Sequence, residues 1–284
     1  MAVGIFIGGM ALDWKAEAER LKFDQGKSWS EVYKALAPCF PDLTAKQVEE
    51  KVRGYLRTVD RYKSTYPVGV FSDMHEPFGH PDYPYFLRET FEKHKVSKII
   101  CLGDGFDSHA ISSHDPEPCA YGMYTETDMA IQRLKIYYNL FNDVIYVPGN
   151  HDLRIARMAA KMGIGQRFLK PLHDILEMPD GWKVVDDQIE LDGVLYTHGE
   201  NCAGKNGALN KAIQERMSVC IGHSHSFGGV QYNVNRHDRI FGMNVGCGIN
   251  EDAYAFAYGK HAKQRSTLGC GIVFSKDSAM FCPM

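Results

Sequence analysis

The segment PVGVFSDMH, residues 67–75, decides how this chain is read. Its first five residues are an apolar run, and the run stops at Ser72, Asp73 and His75. A short apolar run bounded by polar residues is the pattern of a buried strand. In an extended segment residues i and i+2 share a side, so Asp73 and His75 are expected to face one point. The same arrangement recurs along the chain. KIICL at 98–102 runs into Gly103, Asp104 and Asp107, and VIYV at 144–147 runs into Asn150, His151 and Asp152. Strand-like segments at 188–197 and 219–221 run into His198 and into Gly222-His223-Ser224-His225. Helical spacing at 83–95, 127–141, 153–162 and 208–217 separates these runs, and further strands are read at 239–245 and 271–274. Strands alternating with helices specify an α/β layered core. The polar clusters fall just after the strands, where open α/β sheets place their ligands.

Asp, Asn and His supply mixed oxygen and nitrogen donors, a set that suits Mn, Fe, Zn or Ni better than calcium. A DxH, an HxH or a GD at a strand end arises often by chance. Five such pieces in order, each after a strand-like run, point to a metal centre. The set DxH, GDxxD, GNHD, H and GHxH resembles the calcineurin-like metallophosphoesterase family over about residues 66–250. Asn244-Val245-Gly246-Cys247 also looks like that family's NPGS turn, with Val245 and Cys247 as departures.

The resemblance implies a β-sandwich flanked by helices, with two divalent transition-metal ions at the strand ends, manganese first and Fe, Zn or Ni as alternatives. It implies that Asp73, His75 and His225 hold one ion, that Asn150, His198 and His223 hold the other, and that Asp104 bridges them. It places His151 beside the scissile phosphate without ligating, paired with Asp107, whose charge is expected to keep the ring protonated. Asp152 is expected to cap the helix that follows. Such a site clamps phosphate oxygens between two cations about 3.5–4 Å apart and activates a shared water. His151 then gives a proton to the leaving alcohol. No GxSxG occurs, and the cysteines lack basic neighbours except Cys202.

Substrate choice rests on less. GDGFDSHA and GNHDLR depart from the Arg-Gly and Glu continuations of phosphoprotein phosphatases. The insert at 108–127, which contains His109, and the segment at 200–210, which contains Lys205 and Asn206, are candidate substrate contacts, as is Arg154 one turn past His151. Solvated loops and a solvated helix face are the alternative for each.

Before residue 65 the pattern is helical: 14–23, then a helix capped by Ser28 or Ser30 and running to Leu36, then 44–61 opening on the capping box Thr44…Gln47. Trp14, Leu21, Trp29, Val32, Leu36, Val48, Val52 and Leu56 would form its core. The segment resembles a Myb/SANT-type helix-turn-helix module, with Val52 in place of a tryptophan and Glu49 and Glu50 where basic residues are usual. That resemblance makes Lys46, Lys51, Arg53 and Arg57 candidate DNA contacts. From Lys46 to Lys63 there are six basic and three acidic residues. A helical domain at 1–64 and a phosphoesterase domain at 65–284 are therefore expected.

The chain has 284 residues, 44% hydrophobic and 24% charged, with a net charge of −3. That composition excludes a collagen-like or mainly disordered chain and an overall polycation. Residues 1–10 lack the basic start of a signal peptide, and no run of apolar residues is long enough to span a membrane. The eight scattered cysteines contain no CxxC pair and read as reduced thiols in the cytoplasm. The function expected is a two-metal phosphodiesterase acting on nucleic acid and not on membranes. A small-molecule phosphatase or cyclic-nucleotide phosphodiesterase with an N-terminal assembly domain is one alternative. A DNA-binding or scaffold protein that keeps the fold without turnover is the other.

Overall fold

The computed structural model describes residues 6–7, 10–11, 13–24, 27–62, 66–112, 121–202, 204–252 and 265–284. The chain divides into two compact units, Met1–Ser64 and Thr65–Met284. In the first, β1 (Phe6–Ile7) and β2 (Met10–Ala11) pair antiparallel, and α1 (Trp14–Glu19), α2 (Trp29–Leu36) and α3 (Ala45–Tyr62) follow. Three short helices need well-satisfied ends. Asp13 accepts from the amide of Lys15 at 3.0 Å. Ser28 and Glu31 form a reciprocal capping box at α2, and Thr44 and Gln47 exchange the same bonds before α3, at 2.9 and 3.4 Å. Between the helices lie Ala18, Leu21, Val32, Leu36, Val48 and Val52, all buried. Trp14 closes this core with its ring edge-on to Phe40 and Tyr55. The side chains of Trp29, Leu56 and Arg57 lie outside the described residues. The helix expected at 14–23 is α-helical only to Glu19 and widens into a π-type turn over Arg20–Asp24.

The second unit runs β3 (Val68–Phe71), α4 (Tyr83–Lys93), β4 (Lys98–Cys101), α5 (Met123–Leu140), β5 (Val144–Tyr146), α6 (Arg154–Lys161), α7 (Leu172–Ile175), β6 (Trp182–Val184), β7 (Gln188–Leu191), β8 (Val194–Thr197), α8 (Gly207–Glu215), β9 (Ser218–Ile221), β10 (Gly228–Val234), β11 (Arg239–Val245), β12 (Gly269–Ser275) and β13 (Ser278–Pro283). Its strands form two sheets, ordered β13-β12-β3-β4-β5-β6 and β10-β11-β9-β8-β7. Strand alternation explains how they pack. Val68, Val70, Ile100 and Leu102 of the first sheet meet Tyr196, Cys220, Phe241 and Met243 of the second in one buried layer. On the first sheet's other face, Phe71, Cys101 and Tyr146 pack against Leu87 and Phe91 of α4 and Leu134 and Tyr137 of α5. On the second sheet's other face, Leu195, Val219 and Ile221 pack against Ala208 and Ala212 of α8. The result is the expected sandwich of two sheets flanked by helices.

β3, β4, β5 and β6 are mutually parallel, and so are β8, β9 and β11. The carboxyl ends of β3, β4, β5, β8 and β9 carry the five polar clusters. The single strand expected at 188–197 is a hairpin, β7 and β8, turning at Asp192-Gly193 with φ of 51° and 77°. Asp-Gly is a strong hairpin signal that the apolar run masks. β6, β10 and β13 were not expected. β6 and β10 lack the continuous apolar run that marks a central strand, and β13, which has one in Ala279-Met280-Phe281-Cys282, lies half-buried at the edge of its sheet. Among the described residues no helix is long and apolar enough to cross a membrane.

Candidate metal centre

The β3 loop and the β4 loop run side by side after their strands end. The amides of Asp73, His75 and Glu76 donate to the carbonyls of Gly103, Asp104 and Gly105, each at 2.9 Å. Asp73 and His75 do not converge through strand alternation. Both have left-handed backbone, φ 55° and 50°, as do Asp104 at 50° and His223 at 63°. A non-glycine residue in that region costs about 1–3 kcal/mol and persists where its surroundings fix it, most often at functional sites. Here the cross-loop hydrogen bonds fix it. Two glycines make room for the side chains. A Cβ on Gly149 would collide with the Asp104 carboxylate, and one on Gly222 would lie 2.5 Å from Asp73 Oδ2.

Two groups result. Asp73, His75 and His225 bring their donor atoms within 4.8 Å of one another, and so do Asp104, His198 and His223. Asn150 Oδ1 lies 3.0 Å from His198 Nε2 and joins the second group. Asp104 Oδ2 stands between the two, 3.2 Å from His198 Nε2 and 3.8 Å from His75 Nε2. All seven side chains expected to bind metal are therefore gathered at one place.

The proton positions test whether these residues suit a cation. His75 Nδ1 donates to Asp107 Oδ1 at 2.7 Å, and His198 Nδ1 donates to the Leu102 carbonyl at 2.6 Å. Each neutral ring then turns an Nε2 lone pair inward. His75 Nε2 meets His225 Nε2 at 3.1 Å, and His198 Nε2 meets His223 Nδ1 at 3.2 Å. Asp104 Oδ2 is buried without a hydrogen-bond partner among the described residues. Converging lone pairs beside an orphaned carboxylate oxygen are stable only with positive charge among them. Without a cation, protons supply it. Burial pushes His75 down, yet its bonds to Asp107 and Asp73 outweigh that and push its pKa up to about 10. Burial likewise opposes the charge of Asp104 at His198, which still rises to about 10. Burial pushes Asp73 up, but bonds from His225 and His75 hold it well below the carboxylate range. The donor set fits divalent cations.

His151 lies edge-on to the His75 ring, 4.5 Å between centroids. Its Nδ1 donates to the backbone carbonyl of Asp107 at 2.7 Å. The Asp107 carboxylate, expected to pair with His151, lies beside it, Oδ1 3.2 Å from Nδ1, and makes a shorter bond to His75 at 2.7 Å. Its charge, however, does not hold His151 protonated. Burial, then the nearby charge of His75, pushes the His151 pKa down against Asp107. Asp152 corrects a second expectation: α6 has no side-chain cap. Its carboxylate is buried and accepts from the amides of Asp104 at 2.8 Å and Gly149 at 2.9 Å, and from the Tyr146 hydroxyl at 2.9 Å. Burial and the charge of Asp104 push its pKa up to about 6. Asp152 thus pins the backbone that carries Asp104.

Arg154 faces the centre. Its Nη2 donates to His151 Nε2 at 3.0 Å, and its Nη1 to the carbonyls of Asp107 and Ser108 at 2.9 and 3.1 Å. His109 is buried at the edge, 3.9 Å from Asp107 Oδ2, with its amide bonded to Glu126 at 2.7 Å. Lys205 and Asn206 are exposed on the turn before α8, where Asn206 accepts from Gln231 at 2.9 Å. Beside His198 opens a cleft of about 290 Å³ lined by Asn150, Arg157, Glu200 and Lys211, not by those two. Residues 113–120 of the insert lie outside the described residues. In the N-terminal unit Lys46 and Lys51 are exposed, Lys51 with its ammonium 4.9 Å from the Phe40 ring, and Arg53 pairs with Glu49 at 3.5 Å.

A family model described as calcineurin-like phosphoesterase matches residues 66–232, more than half of the chain. No curated protein sequence matches. Among solved structures, a Vps29 from Entamoeba histolytica is similar at 12% identity and a TM-score of 0.36, covering 75% of this chain and 88% of that one. YfcE, a phosphoesterase from E. coli, is similar at 15% identity and a TM-score of 0.34, covering 76% and 97%. The nuclease MPE of Pseudomonas putida is similar at 15% identity and a TM-score of 0.28, covering 76% and 87%.

Proposed function

The chain belongs to the calcineurin-like phosphoesterase family, and we propose that it is a two-metal phosphodiesterase that cleaves nucleic acid in the cytoplasm, with manganese as its metal. The observation that carries the reading is Asp104 Oδ2, buried and unbonded between two groups of inward-facing imidazole nitrogens. In this reading Asp73, His75 and His225 would hold one ion, Asn150, His198 and His223 would hold the other, and Asp104 would serve both. When bound, the ions would neutralise charge on phosphate oxygens and lower the pKa of water.

The chain's own groups do the rest. His75 and His198 are kept in the ligating tautomer by the Asp107 carboxylate and the Leu102 carbonyl. Arg154 is placed to bind a phosphate oxygen, since its guanidinium already lies against His151. A phosphate that draws Arg154 off His151 Nε2 adds negative charge beside that ring and favours its protonation. His151 then passes this proton to the leaving oxygen. The Asp107 carbonyl keeps the ring aimed through Nδ1. His109 is a buried side chain 3.9 Å from Asp107 Oδ2 and not an exposed substrate contact. The exposed Lys46 and Lys51 support a helix-turn-helix-like contact with DNA phosphates by α3, whose sequence also carries Arg53 and Arg57.

The test is a manganese-supplemented panel of bis-p-nitrophenyl phosphate, p-nitrophenyl phosphate, cyclic nucleotides, RNA, and single- and double-stranded DNA. Turnover of the diester and of nucleic acid, exceeding that of the monoester, is the expected result. Turnover of the monoester or cyclic nucleotides alone contradicts the nucleic-acid reading.

A further inference from the structure

Helix α6 carries two arginines, Arg154 and Arg157, beside the centre. Arg154 bonds His151. Arg157 lies three residues further, about 4.5 Å along the axis and on the same side of the helix. Its guanidinium makes two parallel bonds to Glu200, Nη1 to Oε1 at 2.7 Å and Nη2 to Oε2 at 2.6 Å. Glu200 sits two residues past His198, and both partners line the cleft that also contains Asn150 and His198.

This pair is open to solvent and to ligand. Its side chains are 47% and 44% exposed. Its geometry is the fork that guanidinium offers equally to carboxylate and to phosphate. The cleft's described lining contains no Phe, Tyr or Trp, and its one imidazole, His198, is a candidate metal ligand, so a base finds no free aromatic face to stack on there. The part of a nucleotide that fits is the anionic backbone.

Resting on the nucleic-acid reading of the same site, we propose that Arg157 binds a second phosphate of the polynucleotide, next to the one at the metal centre, and that Glu200 is the counter-ion this phosphate displaces. In the free protein Glu200 keeps Arg157 extended over the cleft and paired. Substrate exchanges one bidentate oxyanion for another, so Arg157 is never left without a partner. Binding through Arg157 selects chains with at least two phosphates over isolated diesters.

Fluorescence polarisation of a labelled oligothymidylate, with the full-length protein in EDTA and again with manganese, tests this. Arg157→Ala is expected to weaken binding about tenfold, as when a charged hydrogen bond is removed. It should also lower the salt slope by about 0.7, the value for one single-strand phosphate. Glu200→Gln is expected to tighten binding in the otherwise native chain, and to lose most of that effect when Arg157 is already alanine. Thermal unfolding confirms that each variant is folded. Unchanged affinity and slope in Arg157→Ala overturn the proposal, as does a Glu200→Gln effect that persists without Arg157. A native chain that hydrolyses bis-p-nitrophenyl phosphate but binds no oligonucleotide overturns this proposal and leaves the diesterase reading standing. Oligonucleotide binding that depends on Arg157, with no diester turnover, supports the proposal and overturns the catalytic reading.

Discussion

At His151 the chemistry depends on which nitrogen holds the proton. Nδ1 is tied to the Asp107 carbonyl, so only Nε2 can exchange a proton with substrate. His151→Ala is expected to keep both ions and to cut turnover by about 10²–10⁴. The loss should shrink for p-nitrophenol leaving groups, which need less protonation; steady-state kinetics over a leaving-group series checks this. His75 and His198 govern a pH effect of opposite sense with and without metal. Their pKa values rise to about 10 in the metal-free fold, from about 6.5 when unfolded. The stability they supply is therefore complete below pH 6.5 and is lost as pH rises towards 10. Melting temperatures in EDTA should fall across that window. With manganese the gain over EDTA should grow with pH, because ligation requires those protons to leave. A manganese-induced shift that shrinks as pH rises would refute the assignment.

At the scale of elements, α5 anchors the β3 loop. Glu76, next to His75, is fully buried, and Arg133 of α5 reaches it with Nε 3.0 Å from Oε2. Burial pushes the Glu76 carboxyl up while Arg133 opposes it. Arg133→Ala leaves an uncompensated buried carboxylate and should cost about 3–5 kcal/mol. Adding Glu76→Gln should recover part of that loss in urea denaturation. The ligand positions were legible because each follows an apolar run, and the strand ends fix where it goes. Their backbone was not: alternation from β3 suggests an extended Asp73-Met74-His75, whereas the β4 loop holds two of the three residues left-handed. Asp152 reads as a cap from spacing alone, because two of its partners, the amides of Asp104 and Phe106, are 48 and 46 residues away in sequence. The bond aiming His151 comes from a backbone carbonyl, which no residue type announces. Arg157 and Glu200 escaped for the same reason, being 43 residues apart.

At the scale of the molecule, the helical unit and the sandwich unit each have their own buried core. Replacing Lys46, Lys51, Arg53 and Arg57 of α3 together by neutral residues should weaken duplex DNA binding. Its salt slope should fall by about 0.9 for each phosphate that α3 no longer neutralises. An unchanged slope assigns the unit to protein contact or assembly instead. The centre itself is tested most directly by metal-dependent diester hydrolysis. The full-length protein, stripped with EDTA, is titrated with manganese while hydrolysis of bis-p-nitrophenyl phosphate is followed. Turnover that rises with the second ion per chain, and that Asp104→Asn abolishes, is the predicted result. A chain that binds two ions yet never exceeds the buffer rate, or full turnover after Asp104→Asn, would contradict it.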